Sequence, residues 1–444
     1  MPAAMLIEPD IALAETLFAR LRAQGSDGVG ITRDTYGAGE QRAHDLIAAT
    51  ARELGLEVAR DAALNLYVTL PGERRDEPVV MTGSHLDSVP RGGNYDGAAG
   101  VVAGMAVLAG WARAGARPRR DVVVMGIRAE ESAWFPVSYV GSKAAFGLLD
   151  AQALESRRAD TQRTLAEHIA EHGGHPDQVA GGQAWLRAQA IDSFLELHIE
   201  QGPVLIEGGH ALGIVTGICG SRRYRHARVA GRYAHSGATP RAHRQDAVVA
   251  LAALIDRLQQ AWRQMEADGH ELTLTFGQVY TDARQADFSK VPGLASFSVD
   301  IRSRSVETLR RMDEHIQETA RAIEHSHGVR FDWGPVSGSQ AAVMDAPLRQ
   351  ALDEAARAIG VAPRELPSGA GHDSATFANQ GIPTAMLFVR NAHGSHNPEE
   401  AMDMADFAAG TRTLGRVLAA RAGLAGAPAD ARGSTGDSPS CQPA

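Results

Sequence analysis

The sequence predicts an α/β protein with a mixed, mostly parallel sheet flanked by helices and a smaller α+β domain inserted into it. Two observations support this prediction. Short apolar runs, such as 77–85 and 121–131, alternate with helical stretches, which is typical of a mostly parallel sheet covered on both faces. Near residue 213 the pattern changes to a strand-rich one, and near residue 335 the first pattern returns.

The first part of the chain begins with two amphipathic helices and continues with strands and helices in alternation. Apolar residues at helical spacing predict the helices, and apolar runs bounded by turn residues predict the strands. The expected elements are helices over 9–25 and 39–55, a strand over 77–85, a helix over 100–115 and a strand over 121–131. Residues 150–190 are charged and expected to be helical, apart from a break at 173–177.

The inserted domain is expected over residues 214–335. Its predicted elements are strands within 222–232, 271–280 and 294–303, and helices over about 245–267 and 305–325. The chain then returns to the first pattern with a helix over 347–360, a strand over 382–390 and a helix over 404–422. We therefore assign 1–213 and 336–423 to one discontinuous domain. We expect 424–444, rich in Ala, Pro, Gly and Ser, to be disordered.

Length and composition limit the possible functions. The 444 residues exceed one ordinary hydrophobic core, so two domains are expected. The net charge of −9 argues against nucleic acid or an anionic membrane as a partner. Two cysteines, Cys219 and Cys441, cannot supply a disulfide framework. With no secretory signal and no apolar run long enough to span a bilayer, we expect a cytoplasmic protein.

Five short segments contain an unusual density of His, Asp and Glu. They are GSHLDSVPRGGNYDG (83–97), RAEES (128–132), LELHIEQG (195–202), YAHSGATP (233–240) and NAHGSHNPEE (391–400). His85, the Glu130–Glu131 pair and His396 each follow an apolar run. Because the carboxyl ends of parallel strands converge on one crevice, we expect these side chains to meet there.

The residue types in these segments suit a metal site. Imidazole and carboxylate are the expected ligands of Zn or Mn. Asp96, in a Gly-rich turn that allows close backbone approach, is suited to bridge two cations. Asp87 could accept a hydrogen bond from His85 and set its tautomer. Glu130 and Glu131 should point to opposite sides of an extended segment, so that one binds metal and the other shuttles a proton.

Each of these patterns alone has a simpler explanation. A single H-x-D is more often a surface turn, and an E-E pair is usually a solvated edge. A histidine such as His198 in LELHIEQG is more often a satisfied structural residue. The joint placement of these segments after successive apolar runs favours the metal site.

The sequence resembles the family of N-carbamoyl-L-amino-acid hydrolases, allantoate amidohydrolases and β-ureidopropionases. This family belongs to the wider superfamily of di-metal aminoacylases, dipeptidases and carboxypeptidases. The resemblance covers about residues 10–423, and its motifs are GSHLDSVPRGGNYDGAAGV, EESAWFPVSYVGSKAAFG, LELHIEQGPVL, AHSGATPRAHRQDA and SGAGHDSATFA. It implies a catalytic domain like that of di-zinc exopeptidases and an inserted lid domain that mediates a homodimer with a shared active site.

The resemblance also implies roles for individual residues. The implied ligands of one metal are His85, Asp96 and His198, and those of the other are Asp96, Glu131 and His396. Glu130 resembles the catalytic general base. His235 resembles a histidine that enters the partner subunit's active site and polarises the substrate carbonyl. The implied substrate-binding positions are Gln201, Arg302 and Gly371, with Arg302 clamping a carboxylate.

The implied reaction is hydrolysis of the C–N bond of an N-carbamoyl amino acid or a related ureido acid, with two Zn or Mn ions, or Co or Ni. The products would be the amine, carbon dioxide and ammonia. One substrate-binding position departs from the family, because Ser289 in FSKVPG stands where an asparagine is common. Two alternatives are an aminoacylase or dipeptidase of the same superfamily, and a catalytically silent metal-binding protein.

Overall fold

A computed structural model describes residues 7–424 of the chain. The disordered tail was expected over 424–444. Residues 425–444 lie outside the described residues, and Leu424 is buried. The helices are α1 Ile11–Gly25, α2 Ala38–Glu53, α3 Ala98–Arg113, α4 Val140–Ala145, α5 Leu165–Glu171, α6 Pro176–Ala180, α7 Val204–Gly208, α8 Ala247–Ala267, α9 Val306–His327, α10 Ala346–Ala358, α11 Ser374–Asn379 and α12 Met404–Ala422.

The strands vary from two to eleven residues in length. They are β1 Glu57–Arg60, β2 Leu66–Leu70, β3 Val79–His85, β4 Val122–Ile127, β5 Ile191–Ile199, β6 Leu212–Ile218, β7 Gly220–Ala230, β8 Ala234–His235, β9 Thr273–Thr275, β10 Val279–Thr281, β11 Lys290–Val291, β12 Leu294–Ser303, β13 Arg330–Asp332, β14 Val336–Ser339, β15 Ala342–Val343, β16 Arg364–Ser368, β17 Thr384–Val389, β18 Asn391–Ala392 and β19 Ala401–Met402.

The chain divides into two compact units. The first comprises the chain up to Thr216, Met344–Leu366 and the chain from His372 onward. The second comprises Gly217–Val343 and Pro367–Gly371.

The main sheet of the first unit runs in the order β1-β2-β4-β3-β5-β17-β6. Its centre is parallel, because β3 pairs in parallel with both β4 and β5, and β17 pairs in parallel with β5. The outer strands β2 and β6 pair antiparallel with β4 and β17. This architecture confirms the predicted α/β class with a mixed, largely parallel sheet.

Both faces of this sheet are covered, which explains why its strands are apolar throughout rather than alternating. The strand β4, with the sequence VVVMGI, is buried along its whole length. On one face, α3 packs against β3 and β5, and its small residues allow a close approach. On the other face, the rings of Phe194 and Phe377 stack with centroids 3.7 Å apart. The carboxyl ends of the parallel strands therefore lie together at one edge of a sheet that is covered on both faces.

Several element boundaries differ from the expectations. Residues 150–190 contain only short helices, α5 and α6 and two 3-10 turns, because Gly and Pro residues interrupt the helical spacing. The predicted strand over 121–131 ends at Ile127, so the Glu130–Glu131 pair lies outside it. The short strands β1 and β2, which form an antiparallel pair, had no counterpart among the predicted elements.

The second unit has its own sheet and its own core. The sheet runs β10-β12-β7-β13, with β14 beside β7 and β9 beside β12, and these pairings are antiparallel. Along β12 buried and half-buried residues alternate, as the sequence pattern predicts for a sheet with one covered face. Helices α8 and α9 cover that face. Within residues 7–424, no helix is both long and apolar enough to cross a membrane.

Candidate metal centre

The ends of three parallel strands bring the predicted metal ligands of the first unit together. His85 is the last residue of β3, and His198 is the last but one of β5. The register pairs His198 with Phe388 of β17, which ends one residue later, and His396 lies in the segment beyond. Asp96 comes from the GGNYDG turn that precedes α3.

Asp96 lies at the centre, and its two carboxylate oxygens face different groups of ligands. Oδ1 lies 3.6 Å from Nε2 of His85 and 3.4 Å from Nε2 of His198. Oδ2 lies 3.4 Å from Nε2 of His396, and this imidazole is also 3.2 Å from Oε1 of Glu131. Each group therefore has three ligand atoms within 4.8 Å of one another. Asp96 could therefore contact a cation in each group.

The two buried imidazoles each present Nε2 toward Asp96. Nδ1 of His198 is 2.9 Å from the carbonyl oxygen of Ile199, and Nδ1 of His85 is 3.2 Å from the carbonyl oxygen of Asp87. A carbonyl only accepts, so each Nδ1 carries a proton, and in the neutral imidazole Nε2 then has the lone pair. The neutral form of each side chain is therefore the tautomer that can bind a metal through Nε2.

The side chains fit a divalent cation. Oδ1 of Asp96 is buried and accepts no hydrogen bond, which is costly for a carboxylate oxygen unless a cation satisfies it. The surrounding ligands are imidazole and carboxylate, a set that accepts Zn, Mn, Co or Ni. The two groups differ in exposure, because the side chains of His85 and His198 are 3% and 0% exposed whereas that of His396 is 50% exposed.

The two glutamates lie beyond the end of β4, although the sequence placed them in the same strand. Ala129 has a left-handed backbone with φ 55°, which turns the chain between Ile127 and the pair. The carboxylate of Asp87 holds the turn, because Oδ1 accepts from the Glu130 N–H and Oδ2 from the Glu131 N–H, both at 3.2 Å. Asp87 thus contacts the backbone of both glutamates as well as lying beside His85.

The charges of this cluster shift several pKa values. Burial raises the pKa of Glu130 well above its usual range. The imidazole of His85 lowers this pKa, and the carboxylates of Glu131 and Asp373 raise it further. Burial acts to raise the pKa of Asp96, but the surrounding imidazoles outweigh it and lower that pKa strongly. Contact with Glu131 raises the pKa of His396 to about 9. These effects favour a protonated Glu130 in the metal-free cluster.

Gln201 also points at this cluster. Its Nε2 donates to Oδ2 of Asp96 over 2.9 Å, while its Oε1 is buried and has no hydrogen-bond partner. Its backbone is left-handed, with φ 65°, and so is that of His396, with φ 63°. Strained backbone of this kind is found preferentially at functional sites.

The remaining predicted residues lie in the second unit. His235 on β8 pairs with Lys290 on β11, and the N–H of Ser236 donates to the carbonyl oxygen of Ser289 over 2.9 Å. The two-stranded ribbon therefore brings His235 and Ser289 together. The Ser289 hydroxyl donates to Asp287 over 3.0 Å.

The guanidinium of Arg302 is already engaged within the second unit. Nε and Nη2 donate to Oδ2 of Asp300 at 3.0 and 2.9 Å. Nη1 donates to the carbonyl oxygen of Gly369 over 3.0 Å, in the segment that also contains Gly371. The fold therefore places Arg302 close to the Gly371 segment.

The sequence analysis assigned no role to several buried polar residues around the cluster. Glu400 accepts from the N–H groups of Tyr95 and Asp96, at 2.7 and 3.3 Å. Glu196 accepts from the hydroxyls of Ser84 and Ser374. Both glutamates belong to segments that the sequence singled out, but no spacing rule shows that an acidic side chain will be buried and receive hydrogen bonds.

Comparison with known proteins agrees with this geometry. The sequence matches Peptidase family M20/M25/M40 over residues 81–420. It is 35% identical over 405 residues to an N-carbamoyl-L-amino acid amidohydrolase of Geobacillus stearothermophilus, covering 90% of this chain and 96% of the relative. It is 32% identical over 415 residues to an allantoate amidohydrolase of Escherichia coli (strain K12), covering 92% and 97%.

A solved structure supports the same relationship. An amidase of the hydantoinase/carbamoylase family from Burkholderia multivorans matches with a TM-score of 0.80 and 27% identity, covering 94% of this chain and 98% of that one. The resemblance stated from the sequence is thereby confirmed. The chain belongs to the M20/M25/M40 peptidase family, whose enzymes are metal-dependent, and it is an amidohydrolase of linear amide bonds other than peptide bonds.

Proposed function

We propose that this protein hydrolyses the ureido C–N bond of a small N-carbamoyl amino acid or related ureido acid, using two divalent cations. The observation that carries the proposal is Asp96, whose two oxygens face two separate groups of ligands. The names of the relatives, which act on N-carbamoyl amino acids and on allantoate, support a ureido substrate.

In this proposal His85, Asp96 and His198 hold one cation, and Asp96, Glu131 and His396 hold the other. Bound divalent cations supply Lewis acidity and lower the pKa of water. Glu130, held beside the cluster by Asp87, takes a proton from the attacking water and passes it to the leaving nitrogen. For a substrate R–NH–CO–NH₂, one water then gives R–NH₂, carbon dioxide and ammonia.

We propose that the substrate is bound by polar side chains that are not metal ligands. Gln201 has an unpaired, buried Oε1 that suits a ureido N–H donor. Arg302, beside the Gly371 segment, offers a guanidinium to a carboxylate. Ser289, in place of the asparagine common in the family, has a shorter reach, so it bears on substrate choice rather than on the reaction.

We further infer a homodimer in which His235 serves the active site of the partner subunit. Its Nδ1 accepts from the N–H groups of Gly237 and Ala238, both at 3.1 Å, so Nε2 carries the proton in the neutral imidazole. A donor of this kind suits the oxyanion of a tetrahedral intermediate. Mixing two inactive variants, His235→Ala and Glu130→Gln, should restore part of the activity in mixed dimers. Absence of complementation would count against a shared site.

We also propose a cytoplasmic location, which the buried free thiol of Cys219 supports because thiols stay reduced in that compartment.

The test of the reaction is an ammonia-release screen. Metal-free protein is supplied with Mn²⁺ or Zn²⁺ and assayed with N-carbamoyl amino acids, allantoate and β-ureido acids. N-acetyl amino acids and dipeptides are assayed in parallel by release of the free amine. Ammonia from a ureido acid supports the proposal, whereas turnover confined to acyl or peptide substrates would favour an aminoacylase or dipeptidase. Bound metal with no turnover of any substrate would favour a catalytically silent protein.

A further inference from the structure

Three consecutive backbone N–H groups beside the metal cluster all donate to carboxylates from elsewhere in the chain. The N–H groups of Glu130 and Glu131 donate to Asp87, as described above. The N–H of Ala129 donates to Oε1 of Glu40 over 2.9 Å. Glu40 lies in α2, 89 positions away in the sequence, and it was not among the predicted site residues.

The Glu40 carboxylate binds two strained positions at once. Ala129 and Tyr36 are both left-handed residues other than glycine, with φ values of 55° and 45°. The Tyr36 N–H donates to Oε2 of Glu40 over 2.6 Å, so each oxygen holds one of them. A left-handed backbone costs an alanine or tyrosine roughly 1–2 kcal/mol, so the surrounding contacts must maintain it.

Glu40 is itself held rigidly. Nη1 of Arg128 donates to Oε2 of Glu40 over 3.0 Å, and both side chains are fully buried. The remaining donors of Arg128 contact the carbonyl oxygen of Leu64 and Oε1 of Gln41. A buried ion pair whose polar atoms are satisfied in this way holds its members in one geometry.

A purely structural explanation would be that Glu40 caps α2. Glu40 is the third residue of that helix, and its bond with the Tyr36 N–H is the kind of contact that caps an amino terminus. The hydrogen bond with the Ala129 N–H does not cap α2, because Ala129 lies outside that helix, in the turn that precedes Glu130 and Glu131.

We propose that Glu40 is a positioning residue, which holds the left-handed turn at Ala129 so that Glu131 reaches the second metal and Glu130 faces the substrate. This inference rests on the proposed function for the roles of Glu130 and Glu131. Among its described hydrogen bonds Glu40 contacts none of the proposed metal ligands, and its link to the glutamate pair is the Ala129 N–H.

The test uses Glu40→Gln, which keeps the shape of the side chain and removes one of its acceptors and its charge. Zn²⁺ and Mn²⁺ titrations of the metal-free protein give the affinity of each metal, and kinetics give kcat and KM separately. We expect one of the two metals to bind about 10–100-fold more weakly and kcat to fall by a similar factor, as for other residues that orient metal ligands. KM should change little.

Glu167→Gln is the matched control. Glu167 is also the third residue of a helix, α5, and its carboxylate accepts from the Thr164 N–H over 2.7 Å. It contacts none of the metal ligands among its described hydrogen bonds. We expect this variant to lose some thermal stability and to keep wild-type metal affinity and kcat.

A second substitution separates positioning from capping. Glycine adopts a φ of 55° without strain, so Ala129→Gly in the Glu40→Gln background should recover part of the lost metal affinity and kcat. No recovery, or an effect of Glu40→Gln no larger than that of Glu167→Gln, would overturn the inference. If Glu40→Gln does not fold, the double variant Glu40→Gln/Arg128→Met removes both buried charges and carries the same test.

The two proposals fail in different ways. If wild-type protein binds two metals but hydrolyses no ureido acid, the proposed function is wrong, and the titrations still test Glu40. If wild-type protein is active and Glu40→Gln matches it in metal affinity and kcat, only the positioning role is wrong.

Discussion

Gly97 lies so close to the imidazole of His85 that a methyl group on its Cα would be 2.4 Å from the ring atoms Cε1 and Nε2. Gly97 also has a left-handed backbone, with φ 66°, where the GGNYDG turn enters α3. The position of the His85 imidazole therefore requires a residue without a side chain at position 97, which only glycine provides.

The first prediction follows from this contact. Gly97→Ala should displace the imidazole of His85 and weaken metal binding by at least tenfold, as measured by Zn²⁺ titration. Gly55→Ala is the control, because Gly55 is also left-handed, with φ 73°, but a methyl group there meets nothing within 4 Å. The control should cost about 1–2 kcal/mol of stability from backbone strain and leave metal binding intact. Equal metal affinity in the two variants would contradict the prediction.

The second prediction concerns the bridging carboxylate. Asp96→Asn replaces one carboxylate oxygen by an NH₂ group, which cannot ligate a cation, so the protein should retain at most one equivalent of metal by elemental analysis. Asp121→Asn is the control, since Asp121 is a buried acid that contacts Arg75 and the Gly72 N–H away from the cluster. Two equivalents of metal in Asp96→Asn would argue against bridging.

The third prediction separates chemistry from metal binding at the glutamate pair. Glu130→Gln should lower kcat by about 10²–10⁴-fold, the usual contribution of a general base, and leave the metal content unchanged. Glu131→Gln should instead lose metal, because Glu131 contacts His396. A Glu130→Gln enzyme with normal turnover would exclude Glu130 as the base.

The fourth prediction concerns Arg302. Arg302→Ala should raise KM roughly tenfold or more for a ureido acid, because a charged hydrogen bond contributes about 1.5–3 kcal/mol. The same substitution should have little effect on a neutral analogue whose carboxylate is replaced by an amide. Arg228→Ala on β7 is the control, since that side chain is exposed on the same sheet. Equal effects on acid and amide would rule out a carboxylate contact.

The fifth prediction is a pH dependence of stability. Burial, together with the nearby Glu196, raises the pKa of Asp373 from 3.8 to about 7. The folded protein therefore holds this proton more tightly than the unfolded chain, so its stabilising effect is complete below pH 3.8 and is lost as the pH rises through 7.

In the wild-type protein the Ser142 hydroxyl donates to Oδ1 of Asp373 over 2.5 Å. Asp373→Asn removes the titrating group and keeps an oxygen that can accept this hydrogen bond. The difference in melting temperature between Asp373→Asn and wild type, both metal-free, should grow in favour of the variant from pH 5 to pH 8. A difference that is constant over this range would show that Asp373 does not titrate there.

Patterns in the sequence predicted the class of fold and the segments that contain the candidate site residues. Apolar runs bounded by turn residues predicted the strands β3, β4 and β17. Strands that are buried on both faces of a sheet consist almost entirely of apolar residues, which can be recognised locally in the sequence. The positions of His85 and His396 beyond apolar runs predicted that they meet in one crevice, and the Gly-rich turn pointed to Asp96. The ligand role of His198 came from the resemblance.

The contacts that hold the glutamate pair depend on tertiary packing and could not be predicted from the sequence. The sequence predicted an extended segment at Glu130 and Glu131, but the chain turns at Ala129, an alanine where local rules favour glycine. Its left-handed backbone is maintained by Glu40 from α2, 89 positions away. A buried N–H requires an acceptor, and which residue supplies it depends on packing between distant elements that leaves no periodic pattern in the sequence.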